Sequence, residues 1–291
     1  MNDRWQTLAD RFALLLDRVD LMLDDHLPSP PPPAEFFHGH LAFRWRRAGD
    51  GGRFLPIEHP HLPDLSDLVG IDYVRDELVR NTAQFVAGHP ANNVLLWGER
   101  GTGKSTSVKG VLGRFAARGL RLVEVLRSDL LTLPAIIAAL RPIPLRFILF
   151  CDDLTFAEGE GGYRELKVLL EGGIEERPAN ILFYATSNRR HLMPEPMNDN
   201  LGGEIHPEEA VSEKLSLADR FGLNLSFYPF DQATYLTIVD RYVEKFALSV
   251  APEELRKEAL QWALLKGNRS GRAARQFVDD LAGRIGLAAS P

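Results

Sequence analysis

Eight consecutive residues constrain the fold of this chain most. Gly98-Glu99-Arg100-Gly101-Thr102-Gly103-Lys104-Ser105 fill every fixed position of G-x-x-x-x-G-K-[ST]. An apolar run, NVLLW (93–97), enters the loop, and a helical pattern (104–118) leaves it. Water solvates a polyphosphate strongly, so a protein site must replace that hydration. Glycines let the backbone wrap the phosphates with its N–H groups pointing inward. The helix beginning near Lys104 adds the positive end of its dipole. Lys104 supplies a point charge toward the β- and γ-phosphates, Ser105 a hydroxyl for Mg²⁺, and Thr106 joins Gly98 to Ser105 as an ATP-binding residue. A strand–loop–helix unit of this kind belongs to an α/β protein.

The rest of the chain agrees with that class. Further apolar runs occur at 120–126, 146–151, 180–186 and 223–229, with helical patterns at 72–87, 134–140 and 163–176 between them. Alternation of this kind predicts a parallel sheet covered on both faces. After Pro229 the helical periodicity alone continues, through 232–247, 252–266 and 271–286. Upstream, residues 4–27 carry Trp5, Leu8, Phe12, Leu15, Leu16, Val19 and Leu23 at helical spacing, stopped at Leu27-Pro28 and followed by a proline tract from Ser29 to Pro33. The apolar face of this helix docks on its own domain or a like subunit; its acidic polar face disfavours a membrane surface. Residues 41–58 predict a β-hairpin turning at Gly49-Asp50-Gly51-Gly52. Its Arg44, Trp45, Arg46 and Arg47 are either a solvated face or a contact for nucleic acid or a partner. The expected organisation is an N-terminal helix and linker (1–33), a hairpin extension (34–62), an α/β nucleotide-binding domain (63–230) and a helical lid (231–291).

Composition sets outer limits. With 291 residues, 45% hydrophobic and 25% charged, the chain has the balance of a globular protein of about two domains, not of a disordered chain, a fibre or a rod. Its one cysteine, Cys151, excludes an intramolecular disulfide framework and reads as a packed core thiol. The N-terminal stretch, with Asp3 and Asp10, lacks a basic region followed by an apolar block, so a cytoplasmic setting without membrane attachment is expected. The net charge of −6 gives no general footprint for nucleic acid, although a local basic stripe is compatible with it. The segment 193–207 reads as a mobile loop. Asp199, Glu204, His206, Glu208 and Glu209, in and just after it, fit a solvated acidic surface better than a metal site.

A cation site needs carboxylates near the loop. FILFC (147–151) ends in Asp152-Asp153, two acids at the tip of a buried strand, where an unpaired charge is costly. Asp152 holds Mg²⁺ in this reading and Asp153 polarises the attacking water as general base; helix capping at the strand exit is the structural alternative. NILFYAT (180–186) runs into Ser187-Asn188-Arg189-Arg190, which places the Asn188 amide where it can bond both the γ-phosphate and the lytic water. Arg220, in Leu217-Ala218-Asp219-Arg220-Phe221-Gly222, either reaches a neighbouring subunit's nucleotide or pairs within the chain with Asp219 or a helix acid. In Gly267 to Arg275, Arg272 is the first choice to lean over bound nucleotide, with Arg269 and Arg275 next.

Taken together, GERGTGKS, FILFCDD, ATSN, DRFG and GRAAR over about 63–290 resemble the AAA+ ATPases. The segments carry, in that order, the Walker A loop, the Walker B strand, sensor one, the arginine-finger box and a sensor-two motif. The resemblance implies a three-layer αβα sandwich with a five-stranded parallel core sheet and a helical lid. It also implies that Asp67 to Asp72 cover the adenine, with Val69 and Ile71 sandwiching the base. More closely, PANNVLLWGERGTGKS, FILFCDDLTF, YATSNRRHL, EKLSLADRFGL and RSGRAARQFVDDL are similar to a bacterial AAA+ family catalogued as a domain of unknown function. One departure stands out: the family's usual Asp-Glu is Asp152-Asp153, as in the replication-initiator and helicase-loader group. The shorter acid points to slow turnover with binding intact.

The function expected is therefore Mg²⁺-dependent ATP binding and hydrolysis, coupled to assembly of a ring or open spiral through Arg220 or to remodelling of an unidentified partner. The alternative is an ATP-dependent adaptor or loader with little turnover, using Arg44 to Arg47 and the N-terminal helix as contact surfaces. A small-molecule kinase fits the helical lid poorly. The absence of Asn-Lys-x-Asp from the chain disfavours a GTPase. LRSDLLTLP, after the second strand of the α/β unit, lacks the aromatic-glycine pair of substrate-threading unfoldases.

Overall fold

The computed structural model describes residues 31–49, 51–156, 162–172, 176–190 and 217–289, with Arg11 and Leu192 besides. The N-terminal helix (4–27) and the acidic loop (193–207) expected from sequence lie outside these residues.

Among the described residues, seven strands form one sheet. β1 (Ala42–Ala48) and β2 (Gly51–Pro56) are the hairpin; β3 (Val94–Gly98), β4 (Leu120–Glu124), β5 (Arg146–Cys151), β6 (Ile181–Ser187) and β7 (Leu223–Phe227) follow. Their spatial order is β2-β1-β4-β5-β6-β3-β7, antiparallel between β1 and β2 and parallel at every other pairing. β3 therefore sits between β6 and β7, and the loop that leaves it emerges beside the tip of β6, with the tip of β5 one strand further along the same edge.

The helices cover both faces of the sheet. In β5, Phe147, Leu149 and Cys151 pack into one core with α4 (Leu133–Leu140) and α5 (Gly162–Glu171), while Ile148 and Phe150 pack into another with α2 (Asp72–Val86) and α3 (Lys104–Phe115). β6 divides the same way, with Phe183 and Ala185 on one side and Leu182 and Tyr184 on the other. Side chains alternate with a period of two, so a strand buried on both faces reads as an unbroken apolar run. This gives the three-layer sandwich with a five-stranded parallel core. Cys151 is fully buried, and loss of solvation pushes its thiol up to about 12, which leaves it a packing group rather than a nucleophile.

The hairpin is not an appendage. β1 pairs in parallel with β4, with Phe43 opposite Val123, so the hairpin widens the central sheet. A short helix, α1 (Ala34–Gly39), leads into it and is tied down by the buried Arg121, whose Nε donates to Phe37 O at 2.8 Å. Burial shifts the Arg121 pKa downward; carbonyl oxygens of Phe37, His38, Ala116 and Leu120 satisfy its donors. Trp45 also leaves the proposed contact surface. It is 3% exposed, lies against Phe54 with ring centroids 4.8 Å apart, and donates from Nε1 to Thr132 Oγ1 at 2.9 Å. Only Arg44, Arg46 and Arg47 face outward on β1, and Arg44 is paired with Glu124 at 2.6 Å.

After β7 come α6 (Gln232–Lys245), α7 (Pro252–Lys266) and α8 (Gly271–Ala289), which share a small core of their own around Tyr235, Ala259 and Phe277. Local sequence explains their bounds. Asp231 caps α6 by accepting the Thr234 N–H at 2.8 Å, Pro252 starts α7, and Gly267 ends it in the left-handed region at φ 67°.

Candidate functional site

Three glycines shape the loop between β3 and α3. Gly98 has φ 130° and lies against β7 so closely that an added Cβ would come within 2.0 Å of Phe227 O. Gly101 (φ 74°) and Gly103 (φ 105°) also occupy backbone regions that side chains rarely adopt. Gly103 precedes α3, and neither a side-chain cap nor an acid occupies the first turn of that helix. The first-turn N–H groups of α3 are thus left for a ligand.

Lys104 is the first residue of α3 and is 7% exposed. Its Nζ donates to Gly98 O at 2.8 Å, Glu99 O at 2.7 Å and Asn188 Oδ1 at 3.2 Å. Burial lowers its pKa; the carboxylates of Glu99, Asp152 and Asp153 act in the opposite sense. An anion placed here would relieve the cost of the buried charge.

The acids sit on the far side of the ammonium. Asp152 Oδ1 accepts from Ser105 Oγ at 2.6 Å and from Thr186 Oγ1 at 2.5 Å. Asp153 lies in the left-handed region at φ 55°, its N–H donates to Thr186 Oγ1 at 2.9 Å, and its Oδ1 accepts from Asn188 Nδ2 at 2.5 Å. A non-glycine residue in such a conformation costs about 1–3 kcal/mol and persists only where its surroundings fix it. Asn188 therefore joins the lysine to the second aspartate, and Thr186 joins the two aspartates.

These groups line one side of a cleft of about 670 Å³, a volume suited to a small-molecule ligand. Arg100, Gly101, Thr102, Gly103, Thr106 and Lys109 continue that wall. Leu68, Val69, Phe230, Ile238 and Tyr242 form an apolar wall opposite, and Arg272, Arg275 and Gln276 of α8 close the end. The loop is docked on α8 directly, for the Arg272 N–H donates to Gly101 O at 3.3 Å.

Several expected residues sit elsewhere. Ile71 is 6% exposed and belongs to the core beneath the loop, where its Cδ1 lies 3.8 Å from the Cβ position of Gly103; Leu68, Val69, Phe230 and Tyr242 form the wall suited to a base. Glu99 turns its carbonyl to Lys104 but lines a neighbouring cleft, together with Arg269. Arg275 reaches the main cleft while paired with Asp279 at 2.9 Å and stacked over Phe246 at 4.5 Å. Arg220 lies away from the cleft in an ion pair with Glu171, the last residue of α5. Thr186 lies within the ATSN segment, but the sequence reading there singles out Asn188 alone. Its one signal is period two along the strand, which puts it on the same face as Asn188.

The donor set fits a magnesium-bound polyphosphate. The hydroxyl of Ser105 and the carboxylate of Asp152 are hard oxygen donors in contact with each other. Among the described residues no three His, Cys, Asp or Glu form a metal cluster. A cation at these two donors would need further ligands, such as phosphate oxygens and water, a set that would suit Mg²⁺.

A family model described as "Protein of unknown function (DUF815)" matches residues 38–285. No curated protein matches the chain. Among solved structures, the RuvB Holliday junction branch migration motor of Thermotoga maritima is 15% identical, with 75% of this chain and 72% of that one covered and a TM-score of 0.45. A threonine-to-valine variant of that motor gives the same values. Similarity at that level adds nothing to the chemistry of the site.

Proposed function

The chain belongs to the DUF815 family, and from that premise we propose that it is an ATP-binding ATPase of the AAA+ kind. The observation that carries this reading is the linked set Ser105–Asp152–Thr186–Asp153–Asn188–Lys104 beside an uncapped helix start. The loop amides and Lys104 bind the β- and γ-phosphates, while Leu68, Val69, Phe230 and Tyr242 cover the base. Ser105 and Asp152 hold Mg²⁺, which when bound neutralises phosphate charge and polarises the phosphoryl group. Asp153 accepts the proton of the attacking water, and Asn188 keeps that carboxylate and Lys104 in register. Arg272 senses the γ-phosphate from the lid. Calorimetry tests the reading: Mg·ATP should give saturable heat and displace GTP. A flat titration with Mg·ATP overturns it.

Arg220 acts in trans in this proposal, completing the site of the next protomer in a ring or open spiral. Such head-to-tail contacts either close or continue. Within one chain Glu171 already occupies Arg220, so a neighbour's phosphates must displace that carboxylate. Specific ATPase activity should then fall as the protein is diluted. Activity that is constant with concentration removes the trans role. Hydrolysis is coupled to this assembly or to a partner not yet identified, in a cytoplasmic setting; no described helix is long and apolar enough to cross a membrane.

A further inference from the structure

Thr186 holds a position that neither the phosphate loop nor the strand-tip acids explain. It is 2% exposed, near the end of β6, with its side chain directed toward the tip of β5. A threonine hydroxyl has one proton and two lone pairs. The Asp153 N–H can only donate, so at 2.9 Å it takes a lone pair of Thr186 Oγ1. The hydroxyl proton is left for Asp152 Oδ1, at 2.5 Å. One buried hydroxyl thus fixes the side chain of the first acid and the backbone of the second at once. The Asp153 N–H has no other partner among the described hydrogen bonds, while the backbone of the next residue is held to the same strand by the Leu154 N–H donating to Thr186 O at 2.7 Å. The left-handed conformation of Asp153 in turn sets its carboxylate on Asn188.

We propose that Thr186 is a positioning residue for both carboxylates, orienting Asp152 toward a divalent cation and Asp153 toward the attacking water. The inference rests on the nucleotide reading above and goes beyond it, because it links cation affinity and water activation through a single side chain. Groups behind a metal ligand typically change metal affinity by about 10–100-fold when removed.

Thr186→Val keeps the β-branched shape and strand preference but loses both hydrogen bonds; Thr186→Ser keeps the hydroxyl. ATP binding is measured by calorimetry in EDTA and again during a Mg²⁺ titration, with turnover read in parallel. Expected for Thr186→Val is unchanged binding in EDTA, a Mg²⁺ requirement raised about tenfold, and a fall in kcat that exceeds any change in KM. Thr186→Ser should restore both. A Thr186→Val protein with the wild-type Mg²⁺ dependence, or a Thr186→Ser protein as impaired as Thr186→Val, overturns the proposal. If Thr186→Val loses its cooperative melt, Thr186→Ala against Thr186→Ser decides on the same Mg²⁺ readout: impairment with rescue supports it, equality overturns it. Wild-type protein that takes up no ATP overturns the nucleotide reading first. Wild-type protein with Mg²⁺-linked uptake and a matching variant overturns this inference alone.

Discussion

Lys104→Ala should bind ATP about 100- to 1000-fold more weakly than the wild type, the loss expected when one partner of a buried charge pair is removed. Lys104 is the buried cation at the end of the loop, and three oxygens already fix its ammonium in place. The entropic cost of ordering its long side chain is met before any ligand arrives. The fold should tolerate the change. Glu99 is exposed and lines a cleft, so water can replace the ammonium at its carbonyl, and the melting temperature should move little. Calorimetry with Mg·ATP and a thermal melt on the same sample give both numbers. Undiminished affinity in a folded Lys104→Ala protein would place the phosphates elsewhere.

Asp153→Asn should separate binding from turnover. A positioned general base contributes about 10²–10⁴ in rate, and the amide cannot accept the proton of water. Asparagine is nonetheless the mildest replacement at this position. It tolerates positive φ better than most residues, and its side-chain oxygen can still accept from Asn188. Mg·ATP affinity should therefore hold while steady-state hydrolysis collapses; hydrolysis at the wild-type rate would remove Asp153 from the chemistry. The same protein distinguishes an engine from an adaptor. Partner binding and cellular function that survive in Asp153→Asn favour the loader-type reading, with nucleotide as a switch.

The parts of the fold set by local pattern were legible in the sequence. The strand 146–151 and the helix 252–266 have the same bounds in sequence and structure, because apolar runs and the Pro252 start and Gly267 stop are local signals. The run 223–229 stops at Phe227, since Pro229 cannot donate to a ladder and Tyr228 turns outward. What alternation cannot give is the identity of a strand's neighbour. The pattern of β1 shows a half-buried strand equally well in a free hairpin and at the edge of a larger sheet, and only the pairing with β4 distinguishes them. The inward turn of Trp45 follows from that pairing and from Thr132, far along the chain.

The site divides along the same line. Residues inside contiguous motifs, Gly98 to Ser105 with Asp152, Asp153 and Asn188, come together as their spacing implies. Those brought in by tertiary packing were not legible. Phe230 and Tyr242 carry no local mark that separates a cleft wall from a core position, and Ile71, two residues from Val69, turns into the core. Arg220 depends on Glu171, forty-nine positions away, a distance at which sequence offers only a choice of acids.

The bond from the Arg272 amide to Gly101 O gives the molecule a lever. The proposed phosphate loop and the first turn of the last helix share this backbone hydrogen bond, so an outward swing of α8 would break the bond or drag the loop along. If the loop holds phosphates as proposed, its tightness around them and the tilt of the C-terminal helices would be one mechanical coordinate. Whatever grasps those helices from outside thereby acquires a handle on the grip.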